Sequence, residues 1–228
     1  MRVHVAFTPS EAATAELGIV VDVVRATSSI AQALASGYRR VLCCAEVEQA
    51  RALRASLGGG AVVGGERDAV RIDGFDLGAS PRELLEPRAE TLILSTTNGT
   101  RAILTAAERC DEVLLGSLLN LDAVARAAKA AGGVAILCAG YKGAFAFDDA
   151  YCAGRIVAAL DRAEGTDAAL AAALLAQAFP RALDGLNART YGPPGLEADI
   201  EWCARESVLD VVPRLTGRVG PAAEISLV

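Results

Sequence analysis

The chain is poor in several residue types, and each shortage removes a class of function. Its 228 residues include one histidine, one tryptophan and one methionine. The histidine, His4, falls in the first apolar run. A histidine nucleophile or a Ser–His–Asp triad needs its imidazole beside other catalytic groups, so both mechanisms are disfavoured. Aromatic residues make up 4% of the chain, too few for a surface that stacks unpaired bases. A formal net charge of -6 supplies no broad basic face, and no nucleic-acid partner is expected. Apolar runs are short. Leu17–Val21 stops at Asp22, and the alanine-rich stretch 168–178 also falls well below the ~20 residues that cross a bilayer. Met1–Phe7 is interrupted by Arg2 and His4, unlike a secretory leader. The expectation is a cytoplasmic protein that does not engage membrane.

Other absences narrow the chemistry. Cys43, Cys44, Cys110, Cys138, Cys152 and Cys203 form no C-x-x-C pair, and none has an arginine six residues later. The phosphatase loop built on Cys-x5-Arg is therefore missing, and the cysteines read as reduced and buried. No G-x-x-x-x-G-K-[ST] phosphate loop occurs. Asp22-Val23-Val24 lacks the paired Asp-x-Asp of haloacid-dehalogenase phosphatases.

What the chain does have is a 53% hydrophobic composition, enough for a substantial core and incompatible with disorder. Strand-like runs are expected at Arg2–Phe7, Leu17–Val24, Val41–Ala45, Ala61–Val63, Thr91–Ser95, Glu112–Gly116 and Val134–Ala139. Helices are expected at Thr27–Ser36, Glu46–Leu57, Gly99–Ala107, Leu121–Ala131, Asp148–Ala163 and Asp167–Phe179. The stretch Gly64–Pro81 reads as a loop or hairpin. The tail from Leu183 reads as irregular, with a short helix near Glu197–Arg205. Alternating strands and helices imply an α/β fold, a three-layer α/β/α arrangement on a largely parallel or mixed sheet. One domain over 1–228 is expected, with two similar halves meeting near 85–90 as the alternative. Ligands of such sheets sit beyond the carboxyl ends of strands.

Four segments there could carry chemistry. Asp22-Val23-Val24-Arg25-Ala26-Thr27-Ser28-Ser29 delivers an acid, an arginine and three hydroxyls to a helix start, where free N–H groups favour phosphate. A buried carboxylate such as Asp22 is expensive unless it meets a metal or an arginine. Ser95-Thr96-Thr97-Asn98-Gly99-Thr100-Arg101 repeats the design, which hints at an internal duplication. Gly64-Gly65-Glu66-Arg67 leads on to Asp76 and Ser80-Pro81. Ala139-Gly140-Tyr141-Lys142-Gly143 precedes Asp148-Asp149, adjacent acids of which at most one is expected to point into the site unless the pair precedes the helix. Mg²⁺ takes hard oxygen ligands, and Asp22, Glu66, Asp76, Asp148 and Asp149 are the acids on offer. Arg25, Arg67, Arg101 and Lys142 supply charge for an anionic substrate. Plain helix capping or solvated loop pairs would account for parts of each segment.

Together the segments resemble the 2-phosphosulfolactate phosphatase family of coenzyme M biosynthesis. The matching stretches are VDVVRATSS (21–29), GERDAVRIDGFDLGASP (65–81), STTNGTRA (95–102), GSLLN (116–120) and AGYKGAFAFDDAYCAG (139–154). The resemblance implies Mg²⁺-dependent hydrolysis of 2-phospho-3-sulfolactate to 3-sulfolactate and phosphate. Asp22, Arg25 and Arg67 would act in catalysis, while Thr27–Ser29, Thr96–Arg101 and Lys142 would bind substrate. Phosphorus would be attacked by water or by Asp22 itself. Two departures stand out: Ala79 where the family usually has Asn, and Asp148-Asp149 where it has Glu-Asp. Alternatives are a phosphatase of another small phosphorylated 2-hydroxy acid and a non-catalytic sensor of such anions. A homodimer is also an expectation.

Overall fold

A computed structural model describes residues 1–161 and 164–227. The order of elements is β1 (Arg2–Ala6), β2 (Ala15–Val21), α1 (Ala26–Ala35), β3 (Arg40–Cys43), α2 (Val47–Leu57), β4 (Ala61–Arg67), β5 (Val70–Arg71), β6 (Thr91–Ser95), α3 (Gly99–Arg109), β7 (Cys110–Gly116), α4 (Leu121–Ala128), β8 (Gly133–Cys138), α5 (Phe147–Ala159), β9 (Glu164–Gly165), α6 (Asp167–Ala178), α7 (Ala182–Asn187), α8 (Glu197–Cys203), β10 (Arg214–Val219) and β11 (Ala222–Ser226). The expected helix Asp148–Ala163 thus ends at Ala159, and its last two positions lie outside the described residues.

The strands form one mixed sheet in the order β5-β4-β6-β3-β11-β10-β7-β2-β8-β1-β9. β1, β8, β2 and β7 run parallel, as do β3, β6 and β4. Between these groups lies the antiparallel hairpin β10–β11, which pairs with β7 on one side and β3 on the other. This hairpin corrects the reading of an irregular tail. Its period-2 alternation was present, but Gly217 and the Gly220-Pro221 turn interrupt it. Helix α7 was likewise not expected. β4 runs to Arg67, four residues beyond the expected strand, and turns back into β5.

Side-chain alternation sorts the core into layers. Val20, Val113, Leu115 and Leu137 share one cluster with Val41, Cys43, Leu92 and Ile225. Helices α1 and α3 fill that face through Ile30, Leu34 and Ile103, α1 touching β7 and β3, one strand of each group, and α3 touching β2, β7 and β8. The other face is covered by α4 to α8 over β1, β2 and β8, and by α2 over β3, β4 and β6. The result is the three-layer α/β/α arrangement. Helix α1 is buried from Ala26 to Leu34, as its nearly continuous small and apolar sequence requires. The chain crosses between groups twice: β2 leads through α1 to β3, and β6 leads through α3 back to β7. These two crossovers carry the two hydroxyl-rich segments. Among the described residues, no helix is long and apolar enough to cross a membrane.

Candidate active site

Both crossovers begin at the same place. Asp22 follows β2, and its Oδ1 accepts the Ala26 N–H at 3.1 Å, fixing the start of α1. Helix α3 starts at Gly99, and a Cβ built there would lie 2.4 Å from the Ala26 Cβ and 2.6 Å from Asp22 Oδ2. Only glycine allows so close an approach, so Gly99 is what lets the ends of β2 and β6 converge. An open cleft of about 570 Å³ lies over this junction. Its walls include Asp22, Arg25, Glu66, Thr96, Thr97 and Asn98, together with Arg189 and Tyr191 from the segment between α7 and α8.

The carboxylates of the cleft are held differently. Glu66 accepts the Thr97 N–H through Oε1 at 2.7 Å, and the Ala69 N–H and Thr97 hydroxyl through Oε2. It therefore ties the end of β4 to the turn after β6. Burial pushes the Asp22 carboxyl up to about 7, the Ala26 N–H opposes this, and the charges of Glu66 and Asp148 add to it. Asp149 sits deeper. Its two oxygens accept the N–H groups of Val23 and Gly140 at 2.9 and 3.0 Å, clamping the ends of β2 and β8. Burial, then the charges of Asp148 and Asp22, hold its carboxyl well above the usual range. Asp148 accepts the Asp149 N–H and the Tyr191 hydroxyl, and lies 3.5 Å from Arg189 Nη1. Burial raises its carboxyl too, against the pull of Tyr191 and Arg189.

Arg25 enters the cleft with both terminal nitrogens engaged. Nη1 donates to Asp199 Oδ2 at 2.7 Å and Nη2 to the Ala69 carbonyl at 3.2 Å. Asp199, on α8, also accepts the Ser80 hydroxyl at 2.6 Å. The arrangement presents three carboxylates, Asp22, Glu66 and Asp68, and two guanidinium groups to one open cleft, a set able to bind a polyanion alongside a cation.

Residues 4–218 match the model of the 2-phosphosulpholactate phosphatase family. The chain belongs to that family. It is 38% identical to a probable 2-phosphosulfolactate phosphatase of Thermus thermophilus, covering 97% of this chain and 98% of the relative. Proteins of the same name from Clostridium acetobutylicum, 35% identical over 87% of this chain and 88% of theirs, and Thermotoga maritima, 33% identical over 95% and 96%, are also similar.

Set against the stretches that this phosphatase family shares, the cleft gathers only part of the expected residues. Asp22, Arg25, Glu66, Thr96, Thr97 and Asn98 line it, and Gly99 stands at its floor beside Asp22. Thr27, Ser28 and Ser29 do not face it. All three are fully buried, and their hydroxyls donate to the carbonyls of Asp22, Val23 and Ala79. The hydroxyls of this helix start thus bond backbone carbonyls, those of Thr27 and Ser28 close by in the chain and that of Ser29 on the distant Ala79. Thr100 behaves the same way, donating to the Thr96 carbonyl. Arg67 turns aside to the carbonyls of Glu66 and Ala45 and to Ser95 Oγ. Arg101 pairs with Glu46 at 2.7 Å on the surface. Lys142 pairs with Asp68 at 2.7 Å, while its N–H donates to Asn98 Oδ1. Asp76 caps the Val63 N–H and faces Arg54, away from the cleft. Among the described residues, no three of His, Cys, Asp and Glu gather as a metal-ligand group, so the five acids do not form one cluster. Ala79 lines the cleft, so the departure there falls inside the site. Sequence reasoning missed Arg189, Tyr191 and Asp199. They lie in the Gly- and Pro-rich tail, where no strand end marks them, and an arginine flanked by Tyr191-Gly192-Pro193-Pro194 was the one available signal.

Proposed function

We propose that the cleft hydrolyses the phosphate monoester of a small anionic 2-hydroxy acid, 2-phospho-3-sulfolactate, to 3-sulfolactate and phosphate. The observation that carries this reading is the convergence of Asp22 with the start of α3, enforced by Gly99, in a cleft that also holds Glu66, Arg25 and Arg189. Family membership supplies the substrate: the relatives are named for it.

In this reading the phosphoryl group lies over the turn 96–98 and the start of α3, where helix N-terminal N–H groups favour negative charge. Water oxygen forms a bond to phosphorus as the ester P–O bond breaks. The bonding pair stays with the ester oxygen, which takes up a proton and becomes the 2-hydroxyl of the product. The attacking water gives up a proton in turn. Arg25 stabilises charge on the substrate, its guanidinium oriented by Asp199 and the Ala69 carbonyl. Asp22 and Glu66 fit Mg²⁺, which is bound through one or two carboxylates plus substrate phosphate. Bound there, Mg²⁺ would neutralise phosphoryl charge as the P–O bond breaks. Asp148 and Asp149 are not assigned to it, because neither lines the cleft as Asp22 and Glu66 do. All six cysteines are free thiols, which accords with a reducing cytoplasm.

The test is phosphate release from 2-phospho-3-sulfolactate and 2-phospholactate by EDTA-stripped protein, with and without Mg²⁺. Release from the sulfonated substrate that returns with Mg²⁺ is expected. Full activity without metal would overturn the metal assignment. Preference for 2-phospholactate would replace the substrate, and binding without release would make the protein a sensor.

A further inference from the structure

Of the two guanidinium groups of the cleft, Arg189 has the more donors to spare. Its side chain is nine-tenths buried, with 10% exposed, and its nearest carboxylate contact is 3.5 Å to Asp148 Oδ2. That is longer than a good N–H···O bond. Arg25, by contrast, is engaged at both terminal nitrogens. A guanidinium carries five N–H donors in a rigid fork, and the Arg189 side chain lines the open cleft. The surroundings hold Arg189 in place without satisfying it. Asp148 accepts the Tyr191 hydroxyl, and the Tyr191 ring stacks on Tyr141 with centroids 4.6 Å apart. Gly192 lies alongside the guanidinium: a Cβ there would be 3.6 Å from Arg189 Cζ. Asp148, Tyr191 and Tyr141 thus fix a cation at the cleft wall whose fork remains open to an anion.

We propose that Arg189 binds a carboxylate or sulfonate of the substrate, the acid groups that are not transferred, and so sets specificity for a phospho-acid that carries a further acid group beside its phosphate. This rests on the phosphatase reading of the cleft. The phosphoryl group belongs over the strand–helix junctions, where Asp22, Glu66 and the turn 96–98 converge. Arg189 comes from the irregular segment between α7 and α8 instead, separate from those junctions. Asp148 and Tyr191 are positioning residues, since they act through Arg189 and the wall around it. An arginine suits this task better than a lysine, because its planar fork matches a carboxylate or sulfonate through paired bonds.

The experiment measures binding of 3-sulfolactate and of inorganic phosphate, separately, by calorimetry with Mg²⁺ present, together with kcat and KM on 2-phospho-3-sulfolactate. In Arg189→Ala the Kd for 3-sulfolactate should rise about ten- to a hundredfold, the scale of a lost charge-assisted contact, while phosphate affinity changes little. KM should rise more than kcat falls. Arg189→Lys, which still faces Asp148 with a charge and guards against a folding defect, should recover part of the loss. Tyr191→Phe should raise KM to a smaller degree. The proposal is overturned if a folded Arg189 variant binds 3-sulfolactate normally, or if phosphate affinity falls as steeply as 3-sulfolactate affinity. If the unaltered protein releases no phosphate and binds neither ligand, the phosphatase reading itself fails and this assignment fails with it.

Discussion

Asp22 is a carboxylate whose charge the fold does not want until something cationic arrives. Burial lifts its carboxyl from an ordinary 3.8 to about 7, so between these values the folded protein holds a proton that the unfolded chain has released. The folded-state pKa is raised, and so the stability it brings is fully present below pH 3.8 and is lost as pH rises through 7. In metal-free protein, thermal unfolding should therefore show Tm falling across this window. Asp22→Asn, which cannot ionise, should flatten the slope and be more stable than the parent at pH 8 while losing activity. An unchanged slope in this variant would show that Asp22 is not the group responsible. Part of this is legible in the sequence: an acid at the end of an apolar strand needs a reason, and Asp22 stands out on that ground. The hydroxyls of 27–29 were not legible, because serine and threonine at a helix start serve a ligand and their own backbone with the same sequence. Asp199 was hidden for another reason. Its role depends on Arg25, which is 174 residues away in the chain.

Elements show why two separated turns form one site. Helices α1 and α3 start against each other, and the contact is so close that the position of Gly99 admits no side chain. Gly99→Ala places a methyl against Ala26 and Asp22 and must push the helix starts apart. Overpacking of this kind costs about 1–3 kcal/mol, and the displaced Asp22 should lower phosphate release well beyond that loss of stability. Activity and Tm measured on the same sample check it; a fully active Gly99→Ala enzyme would mean that the contact is slack. Both turns follow parallel strands, but that alone does not bring them together. β2 and β6 belong to different parallel groups, and three antiparallel pairings separate those groups along the sheet. Continuous β-branched runs made the parallel strands easy to read, whereas β10 and β11, half exposed and broken by glycine, carried no such signal.

At the scale of the whole molecule, the cleft spans a seam that the C-terminal hairpin closes within the sheet. Asp22 comes from the group of β2, while Glu66 and the turn 96–98 come from the group of β4 and β6. The hydrogen-bonded path between them runs through β10 and β11, with Ala223, Glu224 and Ile225 paired to Cys43, Leu42 and Val41. On the β7 side the join is thinner, with Arg214 opposite Leu114 and the Leu115 N–H donating to the Pro213 carbonyl at 2.9 Å. Helices α1 and α3 bind the same seam from within, since their core is shared by both groups. The two groups should therefore unfold together and not as separate halves. Ile225 is the test, being fully buried in the shared core on the hairpin strand nearest β3. Ile225→Ala removes buried methyl groups at a cost of about 2–5 kcal/mol. In a chain of this length each kcal/mol lowers Tm by roughly 2–4 °C, so a fall of about 4–20 °C is expected. Far-ultraviolet circular dichroism, Trp202 fluorescence and loss of phosphate release should fall on one transition at the lowered temperature. An unshifted Tm would show that the hairpin is peripheral. Two resolved transitions, with activity lost in the first, would show that the seam opens before either half melts.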